Sequence, residues 1–127
     1  MSDDVRAIER LILSYATFAD GGEPDRIVGL FADDGEVRAM GRTFAGERLA
    51  KFYGAAPRDV HKTKHMLSNI VVDVERNDAA SAVTYFQVLN TTGLQTWGRY
   101  IDQLRKIDGF WKIAVREVAI DGPVAPE

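Results

Sequence analysis

Apolar residues recur every three or four positions from Val5 through Ile8, Ile12 and Tyr15 to Ala19. That period predicts one amphipathic helix over residues 3–20, with Ser2 or Asp3 to cap its start and Gly21-Gly22 to end it. Asp25 to Ala32 reads as a second short helix, with Pro24 near its first turn and Ile27, Leu30 and Phe31 inward. Gly35–Met40 and Thr43-Phe44 form a small hairpin around Gly41-Arg42. Gly46–Gly54 is a third helix carrying Leu49, Phe52 and Tyr53, and Pro57–Lys64 is a loop. The period then changes to two. His65–Glu75 carries Ile70, Val72 and Val74 on one side. Ala79–Thr91, Leu94–Ile107 and Phe110–Asp121 follow, joined by Asn77-Asp78, Thr92-Gly93 and the strong two-residue turn Asp108-Gly109. Successive hairpins make an antiparallel meander. The expected class is α+β, with three N-terminal helices packed on one face of an antiparallel sheet.

The last hairpin can be registered. A two-residue turn at Asp108-Gly109 sets Ile107 opposite Phe110, and facing residues share a side of the sheet. One side then holds Trp111, Ile113, Val115 and Glu117 with Lys106, Leu104, Asp102 and Tyr100. The other holds Lys112, Ala114, Arg116 and Val118 with Arg105, Gln103, Ile101, Arg99 and Trp97. The first is more apolar near the turn and is placed toward the helices. Asp102 and Glu117 then lie beneath the helices, where acids need partners, protonation or a wet cavity. The second side mixes basic and apolar groups. It suits either a solvated face or a homodimer interface through Trp97, Arg99, Ile101, Ala114 and Arg116.

The 127 residues fit one domain over 1–127, with the core over about 5–122. A net charge of −3 leaves no basic field for a nucleic-acid backbone. The absence of cysteine excludes disulfides, thiolate metal sites and a cysteine nucleophile. Met1-Ser2-Asp3-Asp4 is unlike a targeting peptide, and no apolar run is long enough to span a bilayer, so the expectation is a soluble, cytoplasmic protein that binds no membrane. No phosphate-binding loop, dinucleotide fingerprint, zincin motif or nucleophile elbow occurs. No metal site is read at Asp33-Asp34, which looks like a capping or turn pair.

Several motifs in order carry a family resemblance. They are Tyr15 with Asp20, Leu30-Phe31-Ala32-Asp33-Asp34-Gly35, Lys64-His65-Met66-Leu67-Ser68-Asn69, Trp97-Gly98-Arg99-Tyr100 and Asp108-Gly109-Phe110-Trp111-Lys112-Ile113. Their order and spacing resemble the SnoaL-like branch of the nuclear-transport-factor-2-like superfamily over residues 5–122. The resemblance implies a cone: a strongly curved, mixed or mainly antiparallel sheet wrapped around helices with a deep apolar pocket, no cofactor, and frequent dimers. Family members include dehydratases, a dehydrochlorinase, cyclases, ketosteroid isomerase and limonene epoxide hydrolase, alongside proteins that only bind. By motif position His65 matches the catalytic histidine of the lyases, Asp20 its aspartate, and Tyr15 the helix tyrosine of the dehydratases. Tyr100-Ile101-Asp102 stands where the epoxide hydrolase has Arg-x-Asp, without the arginine. Gly98 stands where ketosteroid isomerase carries a protonated acid.

These residues suit proton transfer. An imidazole with its usual pKa of ~6.5 accepts a proton near neutrality, and a carboxylate on its other nitrogen fixes the tautomer. Tyr15 is placed to donate to a developing enolate or leaving hydroxyl, or else packs in the core. Strict alternation sets His65 with Leu67 and Asn69, opposite Ile70, Val72 and Val74. Aiming His65 inward therefore requires a bulge near Met66–Asn69. Without it, His65 is a solvated strand-end residue. Asn69, Tyr85, Tyr100, Asp102, Glu117 and Phe52 are the candidate ligand contacts, with Asp102 and Glu117 as reserve acid–base groups. The leading expectation is a dehydratase, isomerase or cyclase acting on a small hydrophobic oxygenated ring through His65 and Asp20. The alternatives are a ligand-binding module and a subunit-assembly module.

Overall fold

A computed structural model describes residues 2–55 and 60–123. Helix α1 runs Ser2–Asp20. It ends as the two glycines predict. Gly22 takes φ +65°, the Glu23 N–H bonds the Phe18 carbonyl at 2.9 Å, and the Gly22 N–H bonds the Ala19 carbonyl at 3.2 Å. This left-handed closure fixes Asp20 as the last helical residue and reverses the chain. Helix α2 is only Pro24–Val28, and strand β1 takes Phe31–Ala39. The helix expected through Ala32 therefore stops early. Phe31 pairs with Ile113, and the Ile113 N–H bonds the Leu30 carbonyl at 2.9 Å, so sheet pairing overrides the local helical period.

Strand β2 (Arg42–Ala45) and helix α3 (Glu47–Gly54) follow, and then β3 (Lys64–Arg76), β4 (Ala79–Asn90), β5 (Gly93–Ile107) and β6 (Phe110–Gly122). Part of the loop expected over Pro57–Lys64 lies outside the described residues. The six strands form one sheet in the order β2-β1-β6-β5-β4-β3. The last four make the expected meander. The β1–β6 pair is parallel, so the sheet is mixed. Asp33 and Asp34 lie in an irregular stretch of β1, and Asp34 forms an ion pair with Arg105 instead of capping a helix.

The core lies between the helices and one face of the sheet. Ile8, Ile12 and Tyr15 of α1 meet Leu49 and Tyr53 of α3, and Phe86, Tyr100, Leu104 and Ile113 of the sheet. Strand β4 shows why this face is chosen: Ala80, Ala82, Thr84 and Phe86 are buried, while Val83 and Tyr85 are exposed. Gly98 is buried against β6, where a Cβ would collide with the Ala119 carbonyl. No acid can occupy that position without moving the strand.

Two bulges decide which side chains face inward. On β3 the register shifts between Ser68 and Val71, where Asn69 takes φ +52°. The irregularity that an inward His65 requires is therefore present, and His65 and Leu67 share the inner face with Ile70, Val72 and Val74. On β6 the register holds from Phe110 to Ile113, and then Ala114 is left unpaired and Val115 faces Gln103. The residues from Val115 to Ile120 therefore change side. Arg116, expected on the outer face, is fully buried inside opposite Asp102. Glu117, expected inside, is exposed outside. The β5 assignments stand, because the bulge falls on the other strand.

Candidate functional site

A cavity of about 1230 Å³ opens between the helices and the inner sheet face. Tyr15, Tyr53, Phe86 and Tyr100 are its buried lining, with Phe52 beside them. Asp20 and His65 form part of one wall.

The Asp20 carboxylate leaves the end of α1 and meets the start of β3. Its Oδ1 lies 2.8 Å from His65 Nδ1 and accepts the His65 backbone N–H at 3.0 Å. Its own carbonyl accepts the His61 N–H at 2.8 Å. A carboxylate is unfavourable against a helix C-terminus, and here these donors offset that cost. With Nδ1 engaged, the imidazole presents Nε2 for other partners, and the side chain is 21 % exposed. Helix end and strand start thus bring together two residues 45 positions apart.

At the base of the cavity the Tyr15 and Tyr53 hydroxyls are 2.8 Å apart. Behind them Arg116 and Asp102 form a two-pronged pair, Nε to Oδ1 and Nη2 to Oδ2, both at 2.8 Å. The guanidinium carbon lies 4.2 Å from the Tyr15 ring centre and 4.1 Å from that of Tyr100, so both rings face the cation. Burial works against the Arg116 charge, but the neighbouring Asp102 carboxylate outweighs it and the guanidinium pKa is raised. Among the described residues Arg116 Nη1 and Thr84 Oγ1 are buried without a hydrogen-bond partner.

Burial raises the pKa of Tyr15, Tyr53 and Tyr100, with the Arg116 charge opposing the shift at each. An unfolded chain ionises its tyrosines near ~10, whereas these three stay neutral in the fold. Above that pH the unfolded state binds fewer protons than the native state, so stability falls as pH rises. Of the four tyrosines, these three should release their protons only as the protein unfolds. A spectrophotometric titration followed in parallel with circular dichroism checks this. Three phenolates forming in a protein with intact dichroism would contradict it.

The other expected contacts separate. Tyr100 and Phe52 line the cavity. Asp102 is only 1 % exposed and is occupied by Arg116. Three assignments are corrected. Asn69 is exposed and sits in the bulge it helps to make. Tyr85 is 49 % exposed on the outer face of β4, because alternation sets it opposite Phe86. Glu117 is carried outward by the β6 bulge. Of the residues read as an outer interface, Trp97 is exposed, and Arg99 reaches Asp121 at 2.8 Å on that surface. Arg116 does not belong there.

The sequence reading missed Tyr53 as the partner of Tyr15 and Arg116 as the partner of Asp102. The first carried no signal beyond an aromatic on a helix. The second had one, since a core-facing Asp102 needs a cation and Arg116 interrupts an apolar run. Among the described residues no grouping of His, Asp and Glu could hold a metal ion, and no helix is long and apolar enough to cross a membrane.

No curated protein matches the chain. Several solved structures do. A candidate scytalone dehydratase from Novosphingobium aromaticivorans DSM 12444 is 28% identical, with a TM-score of 0.81 over 96% of this chain and 89% of that one. A protein of unknown function with a cystatin-like fold from Nostoc punctiforme PCC 73102 has a TM-score of 0.86 at 23% identity, over 95% and 93% of the two chains. LinA has a TM-score of 0.80 at 20% identity, over 98% and 95%. These last two likenesses concern the fold alone. The family described as SnoaL-like domain matches residues 1–117, and with the cone, its cavity and the mixed sheet in place, the chain belongs to that family.

Proposed function

We propose that the cavity is the active site of a cofactor-independent proton-transfer enzyme, with His65 as the base and Asp20 as the residue that orients it. The observation that carries this reading is the 2.8 Å contact of His65 Nδ1 with Asp20 in the wall of a cavity whose buried lining is aromatic and apolar. Asp20 accepts the Nδ1 proton and leaves the Nε2 lone pair for a substrate. The aromatic lining suits a small hydrophobic ring that carries oxygen. The likeness to a candidate scytalone dehydratase supports dehydration as the first choice, ahead of isomerisation or cyclisation.

In that reaction His65 Nε2 takes a proton from the carbon next to a carbonyl. The electron pair of that C–H bond passes into an enolate, whose oxygen accepts a hydrogen bond from the Tyr15–Tyr53 pair. The β C–O bond then breaks, and the imidazolium returns its proton to the leaving oxygen. An enone and water result. The Arg116 charge behind Tyr15 opposes the burial that disfavours negative charge at the tyrosine hydroxyls, and the hydroxyls stay protonated to donate.

The first step can be read without the natural substrate. In D2O a working base exchanges carbon-bound hydrogen next to a carbonyl. Proton NMR of a panel of cyclic ketones and β-hydroxy ketones should show a protein-dependent loss of that signal, absent with His65→Gln. A ketone that binds and keeps these hydrogens would instead fit a binding module and overturn the proposal.

A further inference from the structure

The mouth of the cavity is charged on one side. Its exposed lining includes the apolar Met40, Val60 and Ile120 and the cations Arg42, Arg48 and Lys51. Arg42 opens β2, while Arg48 and Lys51 are three positions apart on α3 and share a helical face. The Phe44 and Phe52 rings, 4.6 Å apart, hold β2 against α3 and so set the three cations along one rim. Among the described residues none of the three is in an ion pair. Among the described residues the lining also holds two acids, and both are engaged: Asp20 with His65, and Glu23 with Arg26 at 3.4 Å. The chain as a whole carries −3, so a rim of cations without ion-pair partners among the described residues runs against its overall charge. Cations kept at the entrance of an apolar cavity attract and orient an anion whose remaining surface is apolar.

We infer that the ligand of this cavity is an amphipathic anion, an apolar ring system bearing a carboxylate, sulfate or phosphate group that meets Arg42, Arg48 and Lys51 at the rim. The inference rests on the proposed function only in taking this cavity as the ligand site, and it narrows the substrate class from an oxygenated ring to an acidic one. Met40, Val60 and Ile120 add exposed apolar surface to the same lining for the body of such a molecule.

Two fluorescent dyes with the same rings test the charge. Anilinonaphthalene sulfonate carries an anionic group, and phenylnaphthylamine lacks it. With Arg42→Gln, Arg48→Gln and Lys51→Gln combined, the sulfonate should bind about tenfold more weakly while the neutral dye changes less than about twofold. Half-molar salt should do the same to the native protein, because it screens exposed charges. Equal effects on both dyes, no effect on either, or a native protein that binds neither dye would overturn the inference. The variants leave His65 and Asp20 intact, so an indifferent rim leaves the proton-transfer reading standing. Intact dye selectivity with no exchange of carbon-bound hydrogen removes that reading alone. Naphthoate and naphthyl phosphate as competitors then identify the anionic group by which displaces the sulfonate at lower concentration.

Discussion

His65→Gln is expected to lower turnover by about 10³-fold with little change in KM, the usual worth of a positioned general base. Glutamine keeps a polar group of similar reach and offers no basic nitrogen. Asp20→Asn should cost nearly as much, about 10²–10⁴-fold, for a different reason. Its carbonyl oxygen can still accept the His65 backbone N–H, so the strand start stays in place. Its amide would then donate to Nδ1, move the ring proton to Nε2 and aim an N–H at the substrate. Asp20→Ala removes both contacts and should also loosen the junction of α1 with β3. Steady-state kinetics on any substrate found through hydrogen exchange measures all three. Either conservative variant retaining full activity at native stability would remove the dyad from the mechanism.

Asp102→Ala is expected to destabilise the protein by about 3–5 kcal/mol, because it strands a buried guanidinium. A domain of this size has only about 5–15 kcal/mol in total. Arg116 has no solvent to turn to: its side chain is fully buried and flanked by the Tyr15 and Tyr100 rings. Combining Asp102→Ala with Arg116→Met should recover most of the loss, since an apolar pair needs no desolvation. Urea unfolding of the two variants reads the difference directly. A single variant that costs less than about 1 kcal/mol would mean that the cation is solvated, as an exposed pair would be.

Much of the cone was legible in the chain. The 3–4 spacing from Val5 to Ala19 marks α1, and Gly21-Gly22 marks its end, because a left-handed closure favours glycine. Asp108-Gly109 marks the last hairpin and sets Ile107 opposite Phe110 as expected. Phe31 and Ala32 misled because an apolar pair beside a short helix reads as one more turn. Only the parallel partner on β6 makes them strand. The site was legible in its motifs, His65 after Lys64 and Asp20 before Gly21, but its contacts were not.

The sequence by itself determined the first and third helices, the order of the hairpins and the identity of the proton-transfer candidates, since these follow from local periods, turn residues and side-chain chemistry. Only the tertiary structure decided which side chains face the cavity. That choice turns on two bulges, at Asn69 and Ala114, that no proline or glycine announces. A strand has a period of two, so one extra residue inverts everything beyond it. The bulge at Asn69 turns His65 inward to meet Asp20. The bulge at Ala114 buries Arg116 against Asp102 and sends Glu117 to solvent.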